Sequence, residues 1–387
     1  MTTGLREHDM SAADGPAPLL VTKITSSSEA LNGWVVVDSL VDGMAMGGTR
    51  MTATVSEEEI KRLARAMTTK LALAGLPIGG AKAGIRAGMG DREAALRAFG
   101  RASAPLLHGG IYLGTDLGTT HADRDLFLAE AGYDVLRHPR VKKLPVDWAT
   151  FWTHLVDITG FGVCEASAAA IKTRFGTRPC RVAIQGFGTV GRAVGKGLEE
   201  RGHCIAAIAD IRGTIEARDG LPIGQLLSIT DPAGTIDRGR LPDGVRVLDG
   251  PEAWLDVDAD VLILAAVGDA VRAENARRVR AQIVVEGGNL CCTANAKEIM
   301  AARGVLLIPD VVANVGGAAV TGCVLTGTVP FDLPLKQMVN WLFGWVGARV
   351  RDNTEAILEI TAGGVADPVA PLLAQRRTAP LSAVVAR

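Results

Sequence analysis

Hydrophobic and polar residues alternate along the first part of the chain, from Leu19 to Leu40, where valine is frequent. This alternation predicts strands, joined here by a turn rich in serine and asparagine. Met44 to Ala53 continues as a strand with a glycine break. Ser56 and Glu59 have the spacing of a capping box, and apolar residues at helical spacing extend the predicted helix to Leu71.

Helical periods and short apolar runs alternate through the rest of the chain, and each apolar run is followed by a turn or helix signal. Such alternation is typical of a parallel, doubly wound sheet. The predicted helices are Asp91–Ser103, a segment around Asp125–Ala131, Thr159–Arg174, Arg192–Arg201, Leu335–Val350 and Asn353–Ile360. The predicted strands are Ile111–Gly114, Cys180–Gln185, Ile205–Ala209, Val261–Ala266, Ile283–Asn289 and Val305–Asp310. A Pro/Ala-rich tail with Arg376 and Arg377 is expected to be solvated.

Composition narrows the function classes. At 387 residues the chain predicts two domains, and a net charge of −1 gives no footprint for nucleic acid or an anionic membrane. Residues 1–18 lack a hydrophobic signal core and are expected to be a loose leader. The uncharged run Val311 to Phe331 contains too many glycines and threonines for a spanning helix. Six cysteines without a C-x-x-C pair indicate reduced thiols in a cytoplasmic protein, with no disulfide framework and no metal site.

The segment Lys70 to Ile85, KLALAGLPIGGAKAGI, holds two lysines among apolar, uncharged neighbours. Such surroundings disfavour the charged form of a lysine and suit it to proton exchange. The adjacent Gly79 and Gly80 would let the backbone turn sharply and let a ligand approach without meeting a Cβ. The segment alone is equally compatible with an amphipathic helix that ends at Gly75 and leaves both lysines in water.

A carboxylate follows the predicted strand Ile111–Gly114, in the sequence TDLGTT from Thr115 to Thr120. A strand end is a usual place for a functional acid. It is also a usual place for an Asx-turn or a helix cap, and the local sequence leaves both interpretations of Asp116 open.

A dinucleotide-binding fingerprint begins where the strand Cys180–Gln185 runs into GFGTVG, residues 186–191. A helix follows, and the next strand ends in Asp210, about 20 residues past the last glycine, as the fingerprint requires. Gly186 would permit a tight turn, Gly188 the approach of a pyrophosphate to the helix N-terminus, and Gly191 close helix packing. The alternative is a glycine-rich turn that binds no ligand.

Asp210 is predicted to accept hydrogen bonds from the adenosine ribose and to repel a 2′-phosphate, which favours NAD over NADP. Arg212 weakens this preference because an arginine there could compensate a phosphate. The ligand crevice of a parallel sheet lies at the carboxyl ends of its strands, which here are followed by Ala265, Ala266, Asn289 and Asn314.

Taken together, these residues resemble the family of glutamate, leucine, phenylalanine and valine dehydrogenases. The resemblance runs from about Gly47 to Gly317 through ordered motifs, GGTRM, MTTKLALAGLPIGGAKAGI, GTDLGTT, TGFGV, QGFGTVG, EGGN and PDVVANVGG. It is most specific in the lysine segment. It is weaker in the cofactor half, where Leu290 follows EGGN and departs from the family's EGAN-Gly-Pro.

The resemblance implies a role for each matching residue. Lys70 would pair with the substrate α-carboxylate. Lys82 would activate the water that attacks the imino acid or stabilise the resulting carbinolamine, and Asp116 would pass protons to and from the substrate nitrogen. Backbone or amide contacts to the substrate would come from Gly47, Gly80 and Asn314. The implied cofactor contacts are Gly186, Phe187, Gly188, Thr189, Val190, Gly191, Asp210, Arg212, Thr159, Ala265, Ala266, Asn289 and Asn314.

Two positions bear on the substrate side chain. Where glutamate enzymes of the family carry a lysine for the γ-carboxylate, this chain has Met46, which offers an apolar wall and no charge. A buried γ-carboxylate would be left unpaired there. A second pocket position is Thr321, with one methyl and one hydroxyl. Ordinary core packing remains the alternative interpretation of Met46.

We therefore expect a two-domain α/β enzyme. Residues 1–157 with the C-terminal helices 326–387 would form a mixed-sheet substrate-binding and oligomerisation domain, and residues 158–325 a Rossmann-type, doubly wound parallel-sheet NAD-binding domain. The expected reaction is reversible NAD-dependent oxidative deamination of a hydrophobic or aromatic L-amino acid to a 2-oxo acid and ammonia, in a homo-oligomer. The alternatives are a glutamate dehydrogenase with an atypical side-chain anchor and a catalytically silent NAD-binding homologue.

Overall fold

The computed structural model of the chain describes residues 17–28, 31–86, 91–138, 141 and 144–378. They form two compact units: the described residues within Met1–Thr68 and Gly79–Tyr133, and those within Thr69–Ile78 and Asp134–Arg387. These units divide the chain differently from the predicted domains, 1–157 with 326–387 and 158–325, which stay a prediction. Most of the predicted leader lies outside the described residues.

The first unit is built on a five-stranded mixed sheet with strand order β1-β2-β4-β3-β5. β1 and β2 are the two predicted strands joined by a turn, and they pair antiparallel, whereas β3 runs parallel to both β4 and β5. The strands are β1 Leu20–Ser26, β2 Leu31–Val37, β3 Ala45–Thr52, β4 Gly79–Arg86 and β5 Ile111–Thr115. Three helices accompany them, α1 Glu57–Leu73, of which the last five residues belong to the second unit, α2 Arg92–His108 and α3 His121–Glu130.

Helix α1 begins as predicted, because the Ser56 hydroxyl accepts the backbone N–H of Glu59 at 3.2 Å. The Glu59 side chain, expected to complete a capping box, instead accepts a hydrogen bond from Arg50. Sequence spacing alone could not show this, since Arg50 lies on a neighbouring strand.

The second unit contains a seven-stranded sheet with strand order β12-β11-β10-β6-β7-β8-β9. The five strands from β12 to β7 are parallel, as in a Rossmann-type fold, whereas β8 and β9 add an antiparallel edge that was not predicted. The strands are β6 Arg181–Gln185, β7 Cys204–Asp210, β8 Gly213–Glu216, β9 Arg246–Leu248, β10 Val261–Leu264, β11 Ile283–Glu286 and β12 Leu306–Ile308. All residues of β10 and β11 are buried, as expected of strands covered on both faces.

Helices surround this sheet, and α5 packs on α11 through an edge-to-face contact of Phe161 with Phe343, ring centroids 5.2 Å apart. The helices are α4 Trp148–Thr153, α5 Ile158–Phe175, α6 Thr189–Glu199, α7 Ile223–Ser228, α8 Ala294–Ala302, α9 Asp310–Ala313, α10 Gly316–Leu325, α11 Leu335–Ala362 and α12 Val369–Thr378. Short 3₁₀ turns lie at Val135–Arg137, Arg238–Arg240, Ala253–Leu255 and Ala276–Arg278. Among the helices described, none is both long and apolar enough to cross a membrane.

The C-terminal region differs from the prediction in two ways. The two predicted helices form one, α11, because no breaker separates them. The described part of the supposedly solvated tail forms α12, in which Leu372 is fully buried and Arg376 Nε donates to Asn353 Oδ1 at 2.8 Å. A tertiary contact thus overrides the Pro/Ala-rich composition of this segment.

Gly79 and Gly80 make no sharp turn, because they open strand β4. A Cβ at Gly80 would lie 2.1 Å from the backbone nitrogen of Thr68 on α1, and one at Gly79 would lie 2.1 Å from the carbonyl oxygen of Ser39. The expected reason for this glycine pair was therefore wrong. The glycines let protein backbone pack closely, and the space that a Cβ would fill is taken by protein.

We expect Gly80→Ala to destabilise the protein by about 1–3 kcal/mol, since the helix backbone must move to admit a methyl group. Gly344→Ala is the matched control, because Gly344 lies inside α11 with no atom within 4 Å of an added Cβ. That substitution should stabilise the protein by up to about 1 kcal/mol. Thermal and urea unfolding measure both effects, and a Gly80→Ala protein as stable as the parent would contradict the close packing.

Candidate active site

A buried ion pair lies in the first unit. Lys82, in the middle of β4, is 3% exposed, and its Nζ lies 2.9 Å from Oδ1 of Asp116. Asp116 directly follows β5, so it stands at a strand end as predicted, and its side chain is 9% exposed. The alternative in which Lys82 lies in water is wrong.

The sequence analysis missed the third charge, Arg50 on β3. Its Nε donates to Oδ2 of Asp116 at 2.8 Å, and its Nη1 donates to Oε1 of Glu59 at 2.5 Å. The available signal was a charged residue within the buried strand AMGGTRMT, since a charge seldom occupies such a position without a partner.

The pKa of the Asp116 carboxyl reflects opposing effects. Burial acts to raise it, but the charges of Lys82 and Arg50 and their hydrogen bonds outweigh burial and hold the pKa well below its usual range. Asp116 is therefore ionised at neutral pH.

The cap interpretation of Asp116 fails on geometry. Helix α3 is capped by Thr120, whose hydroxyl accepts the N–H of Asp123 while the Asp123 carboxylate accepts the N–H of Thr120. The Asp116 carboxylate is instead bonded to the two cations.

Met46 lies in β3, opposite Gly80 in β4 and Tyr112 in β5. Because side chains alternate along a strand, Met46 points to the same face of the sheet as Arg50 and Lys82. Met46 is 3% exposed, and Gly47 beside it packs against Ala81 so closely that a Cβ would lie 1.7 Å from the Ala81 carbonyl oxygen. An apolar side chain thus lies near a cluster of charges.

Lys70 belongs to the second unit and is 3% exposed, so the solvent-exposed alternative is wrong for this lysine too. Its Nζ donates to Oδ1 of Asn314 and, at 3.1 Å, to Oδ1 of Asn289. Asn314 Nδ2 in turn donates to Gly287 O at 3.2 Å and to Asn289 Oδ1 at 3.3 Å. Both of these acceptors are neutral amides, so the two bonds orient Lys70 and add no negative charge beside it.

Two buried carboxylates hold the loop that carries Asn289. Glu286, fully buried at the end of β11, accepts the N–H of Cys292 at 2.7 Å and the ammonium of Lys297 at 2.8 Å. Asp310 accepts the N–H of Leu290 at 3.2 Å. Leu290 has a φ of +51°, a conformation that favours glycine, so the departure from the family motif falls where the backbone suits glycine best.

Two threonines predicted to contact ligands also lie in this unit. Thr159, in the first turn of α5, accepts the N–H of Gly317 at 3.0 Å. Thr321 is 5% exposed within α10.

The predicted cofactor loop has the geometry of its motif. Gly186 has a φ of +97°, and a Cβ on Gly191 would lie 2.0 Å from Gly186 O, so both positions require glycine. Gly188 stands at the N-cap of α6, has no side-chain cap, and has open space where its Cβ would be. Backbone N–H groups at a helix N-terminus suit a pyrophosphate. Phe187 is buried beneath the loop, whereas Thr189 is exposed and Val190 half-buried.

Asp210 ends β7, as predicted, but its carboxylate is 2% exposed and engaged by protein donors. Oδ1 accepts a hydrogen bond from Arg238 Nη2 at 2.6 Å and another from the backbone N–H of Arg212 at 2.8 Å. Oδ2 accepts one from Arg238 Nη1 at 2.9 Å and one from the backbone N–H of Ile236 at 2.8 Å. A carboxylate has about four acceptor positions, and these bonds occupy them. Arg238 was not predicted, because it lies 28 residues further along the chain.

Apolar surface is exposed beside these strand ends, as a cofactor with flat rings requires. Ile211, next to Asp210, is 91% exposed, and Val267, just past β10, is 50% exposed. Ala265 is half-buried and Ala266 exposed at the same edge of the sheet. The loop, the helix N-terminus and this surface fit a nicotinamide dinucleotide.

Comparison with known proteins gives the same assignment for both units. The Glu/Leu/Phe/Val dehydrogenase dimerisation domain matches residues 19–130, and the Glutamate/Leucine/Phenylalanine/Valine dehydrogenase domain matches residues 154–327. The NADP-specific glutamate dehydrogenase of Saccharolobus shibatae is 33% identical over 298 residues, which cover 74% of this chain and 68% of that protein.

Two solved structures resemble the fold. The leucine-bound hetero-hexameric glutamate dehydrogenase of Thermus thermophilus superposes with a TM-score of 0.73 and 26% identity, covering 93% of this chain and 88% of that one. The L-tryptophan dehydrogenase of Nostoc punctiforme has a TM-score of 0.62 and 23% identity, covering 94% and 96%, and shows the fold alone. The chain belongs to the glutamate/leucine/phenylalanine/valine dehydrogenase family and is an amino-acid dehydrogenase that uses a nicotinamide cofactor.

Proposed function

We propose that this enzyme catalyses the reversible, NAD-dependent oxidative deamination of hydrophobic or aromatic L-amino acids to 2-oxo acids and ammonia. The observation that carries the proposal is the buried, apolar Met46 on the same sheet face as the Lys82–Asp116 pair. The pair supplies proton chemistry, and the methionine restricts the side chain that can be accepted.

Lys70 binds the substrate α-carboxylate in this proposal. Its ammonium is buried and oriented by the two asparagine amides, so an arriving carboxylate meets a cation that is already in position. Such a charge-assisted bond contributes about 1.5–3 kcal/mol. The carboxylates that hold the Asn289 loop keep this arrangement rigid.

Lys82 and Asp116 handle the protons. Lys82 removes a proton from the water that attacks the imino acid, and returns it when the carbinolamine collapses. Asp116 accepts a proton from the substrate nitrogen and gives it back as ammonia leaves. Because Asp116 is ionised and bonded to Lys82, a proton can pass between the two without crossing bulk water.

When bound, a nicotinamide cofactor would supply the hydride acceptor for the substrate Cα. Gly188 and the N-terminus of α6 would hold its pyrophosphate, while Thr159, Asn289 and Asn314 would contribute polar contacts. The open space at Gly188 and the side-chain positions within the second unit support these roles.

Met46 disfavours glutamate on electrostatic grounds. The cations on its sheet face, Arg50 and Lys82, are both bonded to Asp116, and Glu59 accepts a second bond from Arg50. These four charges already balance, so a γ-carboxylate there would add an uncompensated negative charge. Burying an unpaired carboxylate costs several kcal/mol in general.

The second candidate is a glutamate dehydrogenase with a different side-chain anchor. It is favoured by the 33% identity to the Saccharolobus shibatae enzyme, whose name specifies glutamate. Thr321 could then donate to the γ-carboxylate, but a hydroxyl brings no charge.

We also propose a cytoplasmic homo-oligomer. All six cysteines are free thiols, which suits a reducing compartment. The match to a dimerisation domain and the exposed Leu19, Leu20 and Val21 at the β1 edge support self-association.

A panel of 2-oxo acids, assayed with ammonia and each reduced nicotinamide cofactor, tests the substrate class. We expect hydrophobic and aromatic 2-oxo acids to exceed 2-oxoglutarate in kcat/KM by about 100-fold or more, since the pocket leaves a γ-carboxylate unpaired. Met46→Lys should raise kcat/KM for 2-oxoglutarate by about tenfold and lower it for the hydrophobic substrates.

Met46→Leu is the matched control, because it conserves volume and should keep the wild-type order of substrates. A wild-type enzyme that prefers 2-oxoglutarate would overturn the interpretation of Met46 and establish the second candidate. A wild type without activity on any 2-oxo acid would overturn the proposed function.

Arg238→Gln tests how the cofactor is selected. The substitution frees the Asp210 carboxylate to accept ribose hydroxyls and restores its repulsion of a 2′-phosphate. We therefore expect the ratio of kcat/KM for NAD to that for NADP to rise about tenfold. Steady-state kinetics with both cofactors measure the ratio.

Arg246→Gln is the control for this experiment, because Arg246 is 75% exposed and pairs with Glu216 on the antiparallel edge of the same sheet. It should leave the ratio unchanged. Two results would show that Asp210 does not select the cofactor through its bond to Arg238. One is an NAD/NADP ratio that does not rise in Arg238→Gln. The other is a ratio that falls in Arg238→Gln because only the activity with NAD is lost.

A further inference from the structure

Arg50 is a buried arginine whose guanidinium connects two carboxylates from different elements. It is 5% exposed, and it donates through Nε to Asp116, which follows β5, and through Nη1 to Glu59, on α1. A lysine could not make both bonds in the same way, since guanidinium presents its donors in a fixed planar fork.

The Asp116 carboxylate has little freedom between its two cations. The Thr119 hydroxyl accepts the N–H of Asp116 at 2.9 Å and donates to Thr49 O at 2.8 Å, and Met51 N donates to Leu117 O at 2.9 Å. These bonds fix the loop backbone on β3. The two cations then divide the carboxylate, with Oδ1 facing Lys82 and Oδ2 facing Arg50.

Two further ionisable side chains near the loop belong to α3. Helix α3, which follows the loop, carries Arg124, paired with Asp125. Burial and then Arg124 lower the pKa of His121, at the start of the same helix, so it is neutral near pH 7. Among the described residues, the largest charge effects on the pKa of Asp116 come from Lys82 on β4 and Arg50 on β3, and Glu59 acts on Arg50.

We propose that Arg50 is a positioning residue for deamination. It holds Oδ2 of Asp116, so that Oδ1 stays bonded to Lys82. Its charge also keeps the Asp116 carboxylate anionic while Lys82 loses and regains its proton. The inference rests on the proposed function of Lys82 and Asp116. Arg50 takes up no proton itself, because arginine remains protonated throughout.

The charge of Arg50 also sets the pH at which the pair works. Lys82 and Asp116 titrate as a coupled unit, and a permanent cation 2.8 Å from one of them disfavours the protonated state of that unit. Without the cation, the pair holds its last proton to a higher pH. Activity that needs the deprotonated pair should then appear only at higher pH.

The test is the pH profile of kcat/KM for oxidative deamination of the L-amino acid that corresponds to the best 2-oxo acid of the panel, measured for the wild type and variants. In Arg50→Gln, the acid limb should move up by about one pH unit or more, and kcat near neutral pH should fall by about 10- to 100-fold. Arg50→Lys should keep the acid limb near its wild-type position but recover only part of kcat, because it restores the charge and not both bonds.

Glu59→Gln distinguishes an electrostatic role of Arg50 from a purely structural one. The substitution removes an anion that partly offsets the charge of Arg50, and it leaves Arg50 in place. Its acid limb should stay or move to lower pH. Arg101→Gln is the surface control, since Arg101 is 48% exposed and pairs with Glu130, at the end of α3 that lies away from the Asp116 loop in sequence. It should not change the profile.

Two results would overturn the inference. One is an Arg50→Gln enzyme whose activity falls by the same factor at every pH, which indicates a structural role only. The other is an acid limb that moves to higher pH in Glu59→Gln, and this result overturns the inference even if Arg50→Gln does not fold. A wild type inactive on every amino acid would instead contradict the proposed function, so the two failures are distinguishable.

Discussion

The burial of two cations around one carboxylate, Asp116, constrains the first unit more than any other interaction. Lys82 and Arg50 are almost inaccessible to water, and each would cost several kcal/mol if it lost Asp116 as a partner. The pairing therefore specifies that β3 lies between β4 and β5, and that the loop after β5 folds back on β3. The close packing at Gly80 brings α1 against the same sheet, where Glu59 reaches Arg50.

The second unit applies the same principle with different groups. Glu286 and Asp310 are buried acceptors at the carboxyl ends of the parallel strands, and they hold the loop that places Asn289 beside Lys70. The strain at Leu290 is tolerated because Asp310 binds its N–H. In both units a proposed substrate-handling lysine is thus supported by groups that never need to touch the substrate.

Much of this was readable from the sequence, because the relevant signals are local. The strand, glycine turn and helix around Gly186 follow from residue order, and so does the position of Asp116 at a strand end. Contacts made across the fold were not readable. Arg50 and Arg238 find their carboxylates 66 and 28 residues away, and neither spacing is encoded in a local pattern. The tail was mispredicted for a similar reason, since Arg376 finds its acceptors at Asn353 and Asp352 on α11, 23 and 24 residues away.

The central claim is that Lys82 acts on the substrate and is not merely a buried ion-pair partner, and Lys82→Ala tests it most directly. We expect kcat to fall by about 1000-fold or more, while the dissociation constant for the nicotinamide cofactor stays within about twofold of the wild-type value. Lys61→Ala, which removes a lysine from the solvent face of α1, should leave both quantities unchanged. A folded Lys82→Ala enzyme whose kcat stays within about tenfold of the wild-type value would show that Lys82 does not act on the substrate.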